Sequence, residues 1–226
     1  MQWTVHRPFV PPTLLDRARL RRAALRYAAH GWAVTPGARL TGHRFTCGRP
    51  GCPITACHPA LESWEETASI DAVQVQKWWR HTAHTVLLVT GRRFDVLEVP
   101  ATLGLKALGR ARLHTGVLGV ERADARGPVA VTATGRWMFL VRPGLPLRSE
   151  LDHRLDVVRH GLGSWIPAPP SRALEGPVCW AVAPERVRWR LPDAEVVQGL
   201  LTDALGAVRE PRLTVPRQLS TARRGA

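Results

Sequence analysis

Apolar residues recur at helical spacing over residues 13–30, where Leu14, Leu15, Ala18, Leu25 and Ala29 fall near one face while Arg17, Arg21, Arg22 and Arg26 crowd the other. The period then breaks. Residues 36–66 hold glycine, proline and cysteine without a clear repeat, which predicts a loop-like insertion. Ser69 is placed to cap a helix running to about His81, with Ala72, Val75, Trp78 and Trp79 turned inward. Thr85–Val89 and residues 94–99 are apolar enough for buried strands, Thr90-Gly91 supplies the turn between them, and Pro100 ends the second. A helix over about 101–114 follows, then strands near 128–133, 137–142, 155–159 and 178–182. A last amphipathic helix over 193–208 uses Val196, Val197, Leu200, Leu201 and Leu205. Residues 1–12 read as an extension, residues 13–209 as the folded domain, and residues 210–226, rich in proline, arginine, serine and glycine, as a disordered basic tail. Strands and helices without regular alternation predict an α+β fold.

Composition narrows the partners. No 18-residue apolar run exists, so a membrane-spanning helix is not expected, and Met1 to Pro8 do not form a secretory signal. The cytoplasm is the expected location. The net charge of +14 is carried almost wholly by arginine, Lys77 and Lys106 being the only lysines. A GC-rich genome explains arginine in place of lysine, but not the excess of positive over negative charge. That excess favours a polyanion, DNA above all, because phosphate contacts release counterions.

Cys47, Cys52 and Cys57 lie within eleven residues, with His58 adjacent and His43 just upstream. Thiolates and imidazoles this close in a turn-rich loop can surround one tetrahedral zinc ion and order a segment with little core of its own. Five candidates are present for four positions, and His43 is the reserve. A disulfide is disfavoured in a chain without an export signal. Cys179, in the apolar run Val178 to Val182, reads as a core residue.

Several segments, taken in order, resemble the bifunctional DNA primase/polymerase N-terminal family of the archaeo-eukaryotic primase superfamily. They are Ala24 to Trp32 with Val34-Thr35-Pro36-Gly37, the cysteine-rich insertion ending in His58-Pro59-Ala60, Trp78-Trp79-Arg80, Val89-Thr90-Gly91-Arg92-Arg93, Leu155-Asp156-Val157-Val158, and Ala168-Pro169-Pro170-Ser171-Arg172. The resemblance implies a small N-terminal α/β layer packed on a palm whose sheet has the topology of an RNA-recognition module, with a zinc knob at about 40–60. The family's zinc segment is similar to Cys-x-Cys-x4-Cys-x5-His. Cys47, Cys52 and His58 match its last three positions, Phe45 stands at the first, and Cys57 is the replacement candidate.

The same resemblance points to Glu98 and Pro100 as the positions of the family's catalytic Asp-x-Asp, and to Asp156 as its third acidic residue. Nucleotidyl transfer needs carboxylates converging on magnesium or manganese, and residues i and i+2 of a strand point to one side. Proline offers the metal nothing, and Asp95, an odd step from Glu98, faces the other way. Where the family carries a triphosphate-binding histidine, this chain has Gly135-Arg136-Trp137. Gly135 and Arg136 offer turn amides and a guanidinium fork to phosphate, with Ser171 and Arg172 as further nucleotide contacts. His160 is read as capping or solvating its turn, and Trp137 and Trp165 as core residues. Three functions follow: a protein binding DNA, single-stranded or primer-template, and nucleotides, with transfer lost or attenuated; an active primase/polymerase rebuilt around Glu98, Asp156 and another carboxylate; or a non-enzymatic regulatory or scaffold protein. No Gly-x4-Gly-Lys-Ser/Thr motif is present, so helicase activity would come from a replication partner in trans.

Overall fold

The computed structural model describes residues 14–113 and 125–206. The extension expected at 1–12 and the tail expected at 210–226 lie outside the described residues. Helix α1 (Leu14–Ala29) forms where the spacing predicts, yet it buries a different face. Ala24, Tyr27 and Ala28 are buried, whereas Leu14 and Leu15 are 73% and 82% exposed, and Ala18 and Ala29 are exposed as well. A polar anchor sets this rotation. The Tyr27 hydroxyl donates to the Pro169 carbonyl and accepts from Trp180 Nε1 at 3.2 Å, and small Ala24 and Ala28 let the helix approach its neighbours closely.

Helix α2 (Trp64–Thr67) is a single turn, and α3 (Ala72–Trp78) starts later than expected. Asp71, not Ser69, caps α3, its carboxylate accepting from Gln74 N at 2.9 Å. Ser69 Oγ accepts from Asp71 N one step earlier. Ala72 is exposed, so the buried pair on this helix side is Val75 and Trp79.

Three strands, β1 (Val34–Gly37), β4 (Thr85–Val89) and β9 (Trp165–Pro167), pair antiparallel in the order β1-β4-β9. The expected loop at 36–66 is partly ordered, since β2 (Arg39–Thr41) and β3 (Arg44–Thr46) form a hairpin closed by Gly42 at φ +64°.

The second sheet contains β5 (Asp95–Pro100), β6 (Val129–Val131), β7 (Arg136–Val141), β8 (Val158–His160) and β10 (Cys179–Val182), all antiparallel, in the order β10-β6-β7-β5-β8. Helix α4 (Ala101–Leu113) leaves directly from the end of β5, one-turn α5 (Ser149–Asp152) precedes β8, and α6 (Ala194–Gly206) closes the described chain. The strand expected at 155–159 is displaced because Leu155 is exposed, and Cys179 is exposed rather than in the core.

This five-stranded sheet is apolar on both faces. Leu97, Val99, Trp137 and Phe139 join α4 and α6 on one side, while Val96, Met138 and Leu140 join Trp32, Trp79, Leu88 and Ile166 on the other. A Cβ on Gly104 would meet Trp137 Cγ at 2.6 Å, so that glycine lets α4 lie on β7. The architecture is a mixed α+β one. No helix among the described residues is long and apolar enough to cross a membrane.

Candidate functional site

The β2-β3 hairpin and the loop after it bring Cys47, Cys52 and His58 together, with their ligand atoms all within 4.8 Å of one another. Among the described residues this is the one cluster of three or more His, Cys, Asp or Glu groups with such geometry. Cys52 Sγ lies 3.5 Å from His58 Nε2, and His58 Nδ1 donates to the Ala56 carbonyl at 2.7 Å. That bond holds a proton on Nδ1 and turns Nε2 toward the sulfurs, to which it donates when protonated and beside which it would ligate a bound metal when not, as an outer partner arranges for a metal-bound imidazole. Against the rise that burial imposes, hydrogen bonds from His58 and Arg49 bring the Cys47 thiol down to about 6, favouring the thiolate that binds metal. The donor set suits a metal ion such as zinc.

His43 and Cys57 lie outside this cluster. His43 is exposed on the hairpin turn. Cys57 is half-buried and burial pushes its thiol up to about 12, which disfavours a thiolate. Phe45, two residues before Cys47, is buried and its amide donates to the Thr55 carbonyl, closing the loop with an apolar side chain.

The acidic strand places Glu98 on the same face of β5 as Val96 and Pro100. In the register, Glu98 sits opposite Met138 on one side and Val158 on the other, with Arg136 opposite Pro100 and His160 opposite Val96. Arg136 and His160 are therefore both diagonal neighbours of Glu98 across the ladder. Arg136 Nε donates to Glu98 Oε1 at 2.7 Å, and His160 Nε2 donates to Glu98 Oε2 at 2.8 Å. His160 Nδ1 lies 3.0 Å from Ser164 Oγ, and Arg136 also donates to the Asp156 carbonyl at 2.9 Å. Each oxygen of Glu98 thus accepts a hydrogen bond, one from the Arg136 guanidinium and one from the His160 ring, and its side chain is only 20% exposed. His160 does not merely cap a turn, as the sequence suggested; it ends β8 and reaches the acidic strand.

Asp156 does not join this group. Its carboxylate is held by Arg154, with Nε to Oδ1 at 2.9 Å and a second bond to Oδ2 at 2.7 Å, and is 43% exposed. Asp95 faces the other side of the sheet, as its odd spacing predicts, and is buried against Arg159 and the Gly144 amide.

The phosphate contacts expected at the β6-β7 turn are differently engaged. The Gly135 amide donates to the Thr132 carbonyl, the Arg136 amide donates to Thr132 Oγ1, and the Arg136 guanidinium is committed to Glu98. Ser171 is buried, its hydroxyl accepting from Val86 N at 2.9 Å, so it latches β4 rather than facing solvent. Arg172 is exposed. Trp137 is buried, as expected, and Trp165 is half-buried.

A family model for the bifunctional DNA primase/polymerase N-terminal domain matches residues 24–194. The chain belongs to this primase/polymerase family. A search of curated proteins returned no match. The matched span runs from within α1 to the start of α6 and contains both the cysteine cluster and the Glu98 centre.

In this primase/polymerase-family chain, the hydrogen bond from His160, more than that from Arg136, holds the Glu98 carboxyl below the usual carboxylate range, against the rise that burial imposes. A folded-state value below the unfolded one contributes stability above about pH 4.3, and this is lost as pH falls through the folded value. Glu98→Gln is therefore expected to cost about 2 kcal/mol near pH 7. The difference from the parent should close below about pH 4, where the parent's own carboxyl is protonated. Urea unfolding across pH reads this directly. An equal deficit at both ends of the range would show that the charge plays no part.

Proposed function

We propose that this chain binds DNA, and nucleotides with it, while nucleotidyl transfer is lost or strongly attenuated. The observation that carries the proposal is the pairing of both Glu98 oxygens with Arg136 and His160, beside a proline at the next position on that face. Divalent metal needs free carboxylate oxygens on adjacent ligands. Here a guanidinium and an imidazole of the protein occupy the only carboxylate of the pair.

The palm reading is supported by the strand order β8-β5-β7-β6, with α4 following β5, which is the pattern of an RNA-recognition module. The β1-β4-β9 sheet with α1 and α3 then serves as the small N-terminal layer. Zinc is the metal best suited to Cys47, Cys52 and His58, and it would act structurally by tying the hairpin to the loop after β3. Work in the cytoplasm alongside a replication helicase in trans fits this reading.

DNA binding is expected to be largely independent of sequence and to weaken steeply with salt, because arginine-to-phosphate contacts dominate. Titration of labelled single-stranded and primer-template DNA at several salt concentrations tests this. Absence of binding even at low ionic strength would favour the scaffold reading instead.

A further inference from the structure

Positive charge is unevenly answered along this chain. Arg26, Arg136, Arg142, Arg148, Arg154 and Arg159 each pair with a carboxylate. Between Asp16 and Glu62, however, the sequence holds eight arginines and no acidic residue. Arg39 and Arg44 fall within that stretch, on the β2-β3 hairpin, and no ion pair among the described residues involves either. Both are exposed, as is His43 at the turn between the two strands.

The register sets what this hairpin shows to solvent. Arg39 pairs with Thr46, Leu40 with Phe45, and Thr41 with Arg44. Directly paired residues share a face and successive residues alternate. Arg39, Thr41, Arg44 and Thr46 therefore stand on one side, and Leu40 and Phe45 on the other. The apolar side is seated: Phe45 is buried, its amide donates to the Thr55 carbonyl at 2.8 Å, and the Ala38 amide at the base of β2 donates to the His58 carbonyl at 2.8 Å. One face thus holds the hairpin to the cysteine loop, and the arginine face is the one left open. Its internal bonds are neutral and long. Arg39 Nε donates to Thr46 Oγ1 at 3.5 Å, and the Thr41 and Thr46 hydroxyls lie 3.2 Å apart. Whichever hydroxyl donates to the other, the second proton is free for an outside acceptor.

We infer that this face of the β2-β3 hairpin is a docking surface for the phosphodiester backbone of a nucleic acid. Guanidinium forks match phosphate oxygens, and two of them set diagonally across a two-stranded ribbon can each meet a phosphate of one passing strand. Threonine hydroxyls add donors of the kind that position a backbone without reading its bases. A surface with no carboxylate of its own gains most from a ligand carrying successive negative charges. The inference rests on the DNA-binding reading above and places that contact on the insertion rather than on the five-stranded sheet.

The test uses the full chain and a labelled single-stranded oligonucleotide across a salt series. Arg39→Glu with Arg44→Glu is expected to weaken binding at least about tenfold at low salt. Arg39→Gln with Arg44→Gln, which brings no new charge to the hairpin, should lower the salt slope by about 1.4, at ~0.7 per contact. Arg186→Glu with Arg188→Glu, at the exposed turn that follows β10, makes the same change in charge elsewhere and should have a much smaller effect. Equal weakening by that pair would overturn the inference, because net charge alone would then explain binding. An unchanged salt slope in the glutamine variant would overturn it too, since no phosphate contact would have been lost. Parent-level binding by the hairpin variants would overturn it while leaving DNA binding intact. No binding by the parent itself would remove both readings.

Discussion

Cys52→Ala is expected to remove the metal from this protein, taking zinc from about one ion per chain to none by elemental analysis. The effect should be the largest of any substitution in the insertion, since a structural zinc site contributes on the order of 10 kcal/mol. The reason is local. Residues 47–58 contain no helix or strand, and of their side chains only His58 is buried. Cys47 and Cys52 converge on that histidine, whose Nδ1 proton is held by the Ala56 carbonyl. Removing one sulfur leaves two ligands, too few for a tetrahedral ion. Cys57→Ser is expected to leave the stoichiometry unchanged, because Cys57 stands outside the cluster and burial disfavours its thiolate. Zinc lost in Cys57→Ser but retained in Cys52→Ala would show that the ligand set is read wrongly. A metal-free parent with a fully ordered insertion would show that no site exists.

The cluster was legible from spacing, because three short-range ligands need only a bend in the chain to meet. Which of five candidates meet was not legible. Cys57 and His58 are adjacent, and only a folded loop decides which of two neighbours turns toward the sulfurs. A similar limit governs the rest of the chain. β4 and β5 are readable as strands because both faces are covered, β4 as an apolar run after Thr85 and β5 as apolar residues interrupted by Asp95 and Glu98. β2, β3 and β9, at three residues each, offer too few positions for any period to show. The inward face of α1 is not legible in the sequence, because leucines at 14 and 15 outweigh alanines in any apolar pattern. The side of the helix that packs is decided by the hydrogen bonds of Tyr27 to residues more than a hundred positions away.

The acidic strand shows the same division. Its missing carboxylate is plain from Glu98-Val99-Pro100, and so is the turning of Asp95 to the opposite face of the sheet. The partners of Glu98 are not, because they depend on register. A shift of one residue in β7 or β8 would send Arg136 or His160 to the other face. The observed pairings put both on the Glu98 side, 38 and 62 residues away along the chain.

From this register follows the expectation that the parent, given template, nucleotides and magnesium or manganese, shows no robust primer synthesis or extension. Two oxygens that would bind metal are engaged at 2.7 and 2.8 Å by the Arg136 guanidinium and the His160 ring. Releasing them would leave the half-buried Arg136 without a counterion and the His160 ring without its acceptor. Asp156 is tied to Arg154 and stands apart, so it completes no clamp with Glu98. Loss of a charge-stabilising group typically costs about 10²–10³ in rate, and here at least two are missing. Pro100→Asp is expected not to restore activity. Position 100 lies opposite Arg136, so a new carboxylate there would meet the same guanidinium that already neutralises Glu98. Pro100→Asp with Arg136→Ala removes that competitor and is the variant in which trace, metal-dependent extension should first emerge, at rates still orders of magnitude below an intact site. Polymerisation by the parent that Glu98→Ala abolishes would mean that metal displaces both Arg136 and His160, and the acidic strand would then have to be read as a working catalytic centre.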